Sequence, residues 1–273
     1  MSSLRTGQQG LVGDDYGTLG RTSVRAVRQR GLFARIALLA APLVMLFPLQ
    51  DAAAATTTPG NALLKASLTA LLQEHAVHVV STESGSGVAA SASQVASVEI
   101  ITDAGTTEGS QQVTFRQGKT SGHEAILDVG GVGYLRGDAF TLQNFNGFTA
   151  KAAKHYASEW LSVKKSDQAF GSVTSGLLLA TIATQIDIPP PQLVTGTQTL
   201  HGLKVKVLQA TFQSSTNNGA TTVNLAVRSS GTPLPVQETI AGPSTGAEVF
   251  SDWNELVHVV APRFAIPFSS TGQ

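Results

Sequence analysis

One pentapeptide of the chain has the spacing of a serine-hydrolase nucleophile. Residues 242–246 read Gly-Pro-Ser-Thr-Gly and match the pattern G-x-S-x-G, in which Ser244 would attack a substrate. That chemistry requires a strand before the serine and a helix after it, because the strained turn between them exposes the hydroxyl. Here an apparent strand lies on each side, and Gly, Pro and Ser favour a hairpin turn. His258 and Asp252 lie nearby in sequence, but nothing assembles a triad. We therefore predict no catalytic residue and no enzyme.

Two histidines near residue 75 have almost the spacing of a zinc site. His75 and His78 follow Glu74, but they are three residues apart, whereas the zincin helix motif places its histidines four apart. In a strand, a spacing of three directs the two rings to opposite faces. The better interpretation is a pair of histidines that face solvent or cap the end of a helix. We expect no metal site.

The glycine-rich segment 130–133 lacks two features of a dinucleotide-binding loop. It reads Gly-Gly-Val-Gly, Arg136 occupies the position of the third motif glycine, and no convincing crossover helix follows. The pattern predicts a strand, a turn and a second strand. Carboxylates are scattered singly along the sequence, so no glycosidase pair can be named. We expect no cofactor.

Charge is sparse and is divided unevenly along the chain. Lys, Arg, Asp and Glu make up 13% of its 273 residues, against about 25% in a typical globular domain. Residues 1–55 contain six Arg and three Asp, so the remainder has 12 basic and 15 acidic residues and is mildly acidic. This excludes a basic nucleic-acid surface. The absence of Cys excludes disulfides, thiol nucleophiles, Cys-ligated zinc and a lipid-modified N-terminal Cys.

The first 55 residues have the pattern of a secretory signal peptide with a long basic n-region. An Arg-rich segment precedes an uncharged stretch, residues 36–49, and small residues follow as far as Ala55. The 14 residues of that stretch would span about 21 Å as a helix, against about 30 Å for the hydrocarbon core. Cleavage after Ala55 is the simpler interpretation, and an uncleaved membrane anchor is the alternative. Both predict an extracytoplasmic location for a single domain formed by residues 56–273.

Local patterns predict an α+β domain with many strands. Leu64, Leu68, Leu71 and Leu72 recur at helical spacing after Thr58-Pro59, a suitable helix start. Residues 138–158 fit two short helical turns, residues 160–164 are extended, and residues 173–186 fit a helix that ends before three prolines. Apolar alternation and turn residues predict ten further strands. These are 77–82, 96–102, 111–116, 124–129, 132–136, 193–200, 203–212, 221–228, 234–240 and 247–250.

A large antiparallel sheet with one apolar face must be covered, and the helical segments are the only elements available. If the sheet curves, helices lying in its concavity need not fill it, and an apolar cavity suited to lipid tails is left. Alternation alone selects the candidate cavity residues, and a register error of one would invert them. With Tyr134 added, these are Val98, Ile100, Val113, Phe115, Leu127, Tyr134, Leu178, Ile182, Val205, Val207, Val223 and Leu225.

Two stretches resemble the LolA-like lipoprotein carrier superfamily, and most closely its LppX/LprG-type lipid-binding lipoproteins. The first runs from Gly133-Tyr134-Leu135-Arg136-Gly137-Asp138, through an Ala- and Lys-containing helix, to Glu159-Trp160-Leu161-Ser162-Val163. The second is Phe250-Ser251-Asp252-Trp253-Asn254-Glu255 with the following segment 257–262. The resemblance implies a half-barrel sheet whose concave face holds helices over a cavity for acylated ligands. This chain departs from the pattern because it has no Cys to be acylated after the signal.

The resemblance and the apolar patterns together predict noncovalent binding, with or without transfer, of an acylated lipid or glycolipid. The alternative is a cell-envelope scaffold or interaction module that keeps the fold with a filled core. Protein partners and ligand identity are not predicted, and contact with a membrane surface fits the lipid interpretation. Four aromatic residues could line a ligand entrance or pack in the core, and four lysines could attract anionic head groups or simply face solvent. These are Trp160, Trp253, Tyr134 and Tyr156, and Lys151, Lys154, Lys164 and Lys165.

Overall fold

The computed structural model describes residues 59–85, 97–186, 188–189, 192–213 and 219–272. The predicted signal segment, residues 1–55, lies outside the described residues, and so does the predicted helix cap Thr58. The first helix, α1 (Pro59–Leu71), follows immediately. Leu71 is fully buried, whereas Leu72 lies beyond the helix and is 54% exposed. The predicted apolar stripe therefore ends at Leu71.

In the described part of the chain, twelve strands form one open sheet, and every predicted strand is present. The strands are β1 (Ala76–Gly85), β2 (Ser97–Gly105), β3 (Glu108–Gln117), β4 (Thr120–Val129), β5 (Val132–Gly137), β6 (Leu161–Lys164), β7 (Leu193–Leu200), β8 (Leu203–Gln213), β9 (Ala220–Arg228), β10 (Pro235–Ala241), β11 (Ser244–Ser251) and β12 (Ile266–Pro267). Their order is β12-β6-β5-β4-β3-β2-β1-β11-β10-β9-β8-β7. All neighbours pair antiparallel except β12 and β6.

The fold is the predicted α+β class, a large curved antiparallel sheet that does not close. Two meanders, β1 to β6 and β7 to β11, are joined where β1 pairs with β11, for example at Val79 and Phe250. Strands β7 and β12 are the two edges of the sheet. We call the face that packs against the helices the inner face, and the opposite one the outer face.

Four further α-helices within the described ranges are short. They are α2 (Ala139–Asn144), α3 (Ala150–Tyr156), α4 (Phe170–Val173) and α5 (Leu179–Gln185). Asp138 and Thr149 start α2 and α3, because their side chains accept hydrogen bonds from the backbone amides of Thr141 and Ala152. Helix α1 contacts α5, β7 and β10, α2 contacts β4 and β5, and α4 contacts β5 and β6. The helices thus cover strands β4 to β6 in one half of the sheet and contact β7 and β10 in the other half.

The prediction of one helix over residues 173–186 was wrong. The segment contains the end of α4 and all of α5, separated by residues 174–178. Gly176 has a φ of +80°, a left-handed conformation that interrupts a helix. The residues after it approach the sheet, where Leu178 forms a backbone bridge with Gly105. Helical spacing of the leucines and isoleucines was insufficient to reveal this break.

Both glycine-rich motifs are hairpin turns, as their sequences predicted. Residues 130–131 join β4 to β5, and Gly130 and Gly131 have φ values of +61° and +76°, as a two-residue type I′ turn requires. Residues 242–243 join β10 to β11, and Ser244 is the first residue of β11. No helix follows Ser244, so the geometry of a nucleophile elbow is absent from this described hairpin.

Among the described residues, no helix is long and apolar enough to cross a bilayer.

Gly109→Ala is expected to destabilise the protein by about 2 kcal/mol, because overpacking forces neighbouring backbone to move. A Cβ atom at Gly109 would lie 1.9 Å from the carbonyl oxygen of Leu177. Urea unfolding would measure the change. Gly171→Ala is the matched control, since a Cβ there meets nothing within 4 Å. Equal stabilities of the two variants would contradict the close approach of β3 to Leu177.

Candidate functional site

The inner face contains three apolar clusters. The α5 cluster lies over β1 and β8 to β11 and includes Val79, Ile182, Val223 and Leu225. The α3 cluster lies over β4 to β6 and includes Ile126, Leu135 and Ala153. The phenylalanine cluster lies over β2 and β3 and consists of Val98, Ile100, Val113, Phe115 and Phe145. Together the clusters make the inner face mainly apolar.

Seven of the twelve predicted cavity residues lie in these clusters. Val98, Ile100, Val113 and Phe115 are neighbours in the phenylalanine cluster, and Ile182, Val223 and Leu225 belong to the α5 cluster. Leu178 is half-buried at the start of α5, where its backbone contacts the sheet. The structure therefore divides the seven clustered residues between the phenylalanine cluster and the α5 cluster of the inner face.

The other four predicted cavity residues lie on the outer face. Leu127 pairs in register with Tyr134, on the side opposite to the inward pair Ile126 and Leu135. Val205 and Val207 pack with Ala226 and Val236 in a small separate cluster. This placement corrects the predicted register, and its cause is local ambiguity. Residues 125–127 are all apolar, and in β8 both faces contain apolar residues, so alternation does not determine which side faces inward.

Two of the four aromatic residues pack into the clusters. Trp253 stacks on Phe250 with ring centroids 6.5 Å apart, and Tyr156 meets Phe148 edge-on at 6.1 Å. Trp160 is half-buried, and the guanidinium carbon of Arg136 lies 5.8 Å from its ring centroid. Core packing accounts for Trp253 and Tyr156 without a ligand. All four candidate lysines, Lys151, Lys154, Lys164 and Lys165, are exposed.

A patch of polar side chains, which we call the carboxyl patch, interrupts the apolar inner face. It consists of Ser81, Glu83, Glu238 and Glu248, which are 1%, 6%, 4% and 3% exposed. Ser81 pairs in register with Glu248, and Glu248 pairs with Glu238 on the next strand. The Ser81 hydroxyl donates a hydrogen bond of 2.9 Å to Glu248 Oε1. Three carboxyl groups thus lie buried on adjacent strands.

Burial changes the protonation of two inward-facing carboxyl groups. Burial raises the pKa of Glu83 from 4.5 to about 7. The pKa of Glu124, on β4, is also raised to about 7. The main cause is burial, which removes the carboxyl group from water, and charge repulsion by Asp138 adds to the shift. Asn146 Nδ2 donates a 2.9 Å hydrogen bond to Glu124 Oε2 and partly opposes that shift. Near neutral pH, each group can both donate and accept a hydrogen bond.

Sequence reasoning missed the carboxyl patch, although a signal was present. Glu83 continues the inward alternation of Val77 and Val79, and Glu248 and Glu238 are in phase with the inward residues Phe250 and Ile240. A carboxylate that takes an apolar position in a strand is buried with that face. The carboxylates were predicted to be scattered singly, which is true along the chain but not across the sheet.

An open apolar groove lies beside α1. Its volume is about 410 Å³, and it is lined by Asn61, Leu64, Lys65, Leu68, Thr69, Leu72 and Gln192. Leu64 and Leu68 also pack against the α5 cluster, so the groove and the inner face share one helix. Beyond Gln192, Leu193 and Val194 on edge strand β7 are 62% and 41% exposed. The groove is therefore bordered by further accessible aliphatic surface.

The two histidines considered as metal ligands are separated by their local structure. His78 lies in β1 and its Nδ1 is 2.7 Å from Asp103 Oδ1, whereas His75 precedes the strand and its amide donates to Asn254 Oδ1. Within the described ranges, no three His, Cys, Asp or Glu residues are grouped as a metal site requires.

The protein is similar to several solved structures. Against LprF from Mycobacterium bovis the TM-score is 0.46 at 16% identity, with 76% of this chain and 98% of that chain covered. Against lipoprotein LppX from Mycobacterium tuberculosis the TM-score is 0.44 at 16% identity, covering 73% of this chain and 98% of that chain. A DUF1329 family protein from Desulfovibrio piger gives 0.29 at 12% identity, covering 75% and 96%. No protein-family model and no curated protein matches the chain.

Proposed function

We propose that the protein binds an acylated lipid or glycolipid noncovalently, without catalysis, and that residues 56–273 form the binding domain outside the cytoplasm. The observation that carries this proposal is the open groove beside α1, which is lined by Leu64, Leu68 and Leu72. Because α1 also covers the α5 cluster, a chain entering the groove would reach the inner face by displacing this one helix.

The groove has the size and chemistry to hold an acyl chain. Its volume of about 410 Å³ lies within the range of about 300 to 1,000 Å³ that is usual for small-molecule sites. Each methylene removed from water contributes about 0.8 kcal/mol. Binding of this kind requires no catalytic group, and the exposed Leu193 and Val194 would let a membrane surface approach the same edge.

Thr69→Trp tests the groove directly. The indole would occupy space between α1 and Gln192, and exclusion of two methylenes would weaken binding about tenfold. A phosphatidylcholine with a fluorescent acyl chain is the probe, and its dissociation constant is the measured quantity. Ala66→Trp is the matched control, because Ala66 is exposed on the same helix and does not line the groove. Equal affinities of the two variants would contradict the proposal.

A filled-core scaffold is the second candidate function. It is favoured by the close packing of the described clusters, in which Ile182 and Val98 are 1% and 2% exposed. Native mass spectrometry of the mature secreted protein, followed by organic extraction, separates the two functions. A stoichiometric acylated ligand supports the lipid-binding proposal. An apo mass that is unchanged after incubation with envelope lipids supports the scaffold.

A further inference from the structure

Glu83 lies at the boundary between two apolar clusters. In register across the sheet, its neighbours are Val98 of the phenylalanine cluster on one side and Gly246 on the other. Beyond Gly246 lies Ile240 of the α5 cluster. A Cβ at Gly246 would lie 3.7 Å from Glu83 Cγ, an ordinary van der Waals distance, so the glutamate side chain packs directly beside this glycine. The carboxyl group therefore lies between two surfaces suited to acyl chains.

The Glu83 carboxyl group is buried without full hydrogen bonding. It is 6% exposed, and no described residue hydrogen-bonds to its Oε1. A buried polar atom left without a partner costs about 1 to 3 kcal/mol. A water molecule or a polar ligand atom can supply the missing hydrogen bond. Its position beside Ser81 and Glu248 makes it part of a larger polar surface.

The surrounding inner face selects against charged ligands. The inward positions of β1 to β5 and of β9 to β11 contain no Lys or Arg, as their sequences and pairings show. The inward Lys206 lies on β8, four strands from Glu83. A phosphate or carboxylate would meet buried carboxyl groups without a compensating cation. A cationic head group would require a buried ion pair, whose desolvation offsets most of the attraction.

We propose that Glu83, with Ser81 and Glu248, forms a subsite that hydrogen-bonds to the hydroxyl groups of an uncharged head group, while acyl chains of the same ligand lie on the flanking apolar clusters. This inference rests on the proposed lipid-binding function and names its ligand class. A ligand hydroxyl both donates and accepts, so it matches a partly protonated Glu83 carboxyl group, and it can donate to the Ser81 oxygen, whose own proton is held by Glu248. Because burial raises the pKa of Glu83 to about 7, that protonated form is present near neutral pH.

Three probes with the same twelve-carbon chain test the head-group preference. Dodecyl maltoside, dodecyltrimethylammonium and laurate would be titrated calorimetrically at pH 6.5, each below its micelle-forming concentration. The full mature protein is expected to bind the maltoside about tenfold more tightly than the other two, because one satisfied buried polar group contributes about that factor. Glu83→Leu is expected to abolish the preference, and Glu83→Gln, which still donates and accepts, is expected to keep it.

The outcomes separate this inference from the proposed function. If the wild type binds none of the probes, both the lipid-binding proposal and this inference fail. If Thr69→Trp weakens all three probes while Glu83→Leu changes none, lipid binding stands and the subsite is overturned. Tightest binding of the trimethylammonium probe, lost in Glu83→Gln, would also overturn it. Circular dichroism of both Glu83 variants confirms that a lost preference is not a loss of folding.

Discussion

Glu83→Gln/Glu124→Gln is expected to be more stable than the wild type above neutral pH and equally stable near pH 4. Burial raises the pKa of each glutamate from 4.5 to about 7, so the folded state holds protons that the unfolded state releases. The free energy of unfolding of the wild type therefore falls as pH rises from about 4.5 to 7 and is constant above that window. At about 1.4 kcal/mol per pKa unit, each carboxyl group accounts for about 3 kcal/mol.

The changes in unfolding free energy caused by Glu83→Gln and Glu124→Gln should add, because the two residues are on separate strands. Glu83 is on β1 and Glu124 on β4, about 14 Å apart at about 4.8 Å per strand. The ionisable groups on the strands beside Glu83 that share its face are Glu248 and, one strand further, Glu238. Asp138 is the charged group that acts on Glu124. All of these described neighbours are acidic, so none of them would favour the ionised form of Glu83 or Glu124.

Urea unfolding between pH 4 and 8 measures this difference. The stability of the double variant should decline less with pH, and each single variant should recover about half of the effect. Glu99→Gln is the matched control, because Glu99 is an exposed glutamate on β2 and faces outward. If Glu99→Gln removed as much of the pH dependence as either inward substitution, burial would not be its cause.

Phe115→Ala is expected to destabilise the protein by about 3 to 5 kcal/mol, the usual range for removing a buried aromatic ring. Phe115 is 3% exposed, and its ring lies parallel to that of Phe145, with centroids 3.9 Å apart and planes 10° apart. Phe145 directly follows α2 and meets Phe140 edge-on at 5.9 Å. The substitution therefore removes a ring contact between β3 and the residue that follows α2, besides leaving a cavity.

Thermal and urea unfolding measure the loss, with Phe264→Ala as control. Phe264 is 88% exposed, and its removal should change stability by less than about 0.5 kcal/mol. Phe115→Leu should cost less than Phe115→Ala, since it fills part of the space. A loss below about 1 kcal/mol for Phe115→Ala would contradict the close packing of the Phe115 ring in the phenylalanine cluster.

Local sequence determined which segments are strands, turns and short helices. The alternation in β2, β3 and β9, the glycine pair at 130–131 and the capping residues Asp138 and Thr149 act over fewer than about ten residues. Such interactions can be recognised in a single stretch of chain. The same approach failed at Gly176, where contact of the following residues with β2 and β3 replaced a continuous helix.

Tertiary structure decided which face of each strand is buried. Ile126 faces inward and Leu127 outward only because β4 pairs with β3 and β5 in one register. In β8, Leu208 pairs with Leu225 on the inner face, which places Val205 and Val207 on the outer face. A slip of one residue exchanges the two faces, and local pattern does not resolve it where both faces are apolar.

The carboxyl patch depends entirely on the tertiary structure. Glu83 lies in the first meander and Glu238 and Glu248 in the second, more than 150 residues later in the chain. The sequence by itself determined that each occupies an inward position of its strand, because each is in phase with buried apolar residues. Only the pairing of β1 with β11, which joins the two meanders, brings them together. Pairing between distant strands depends on the packing of the whole sheet, so the residues of one stretch cannot specify it.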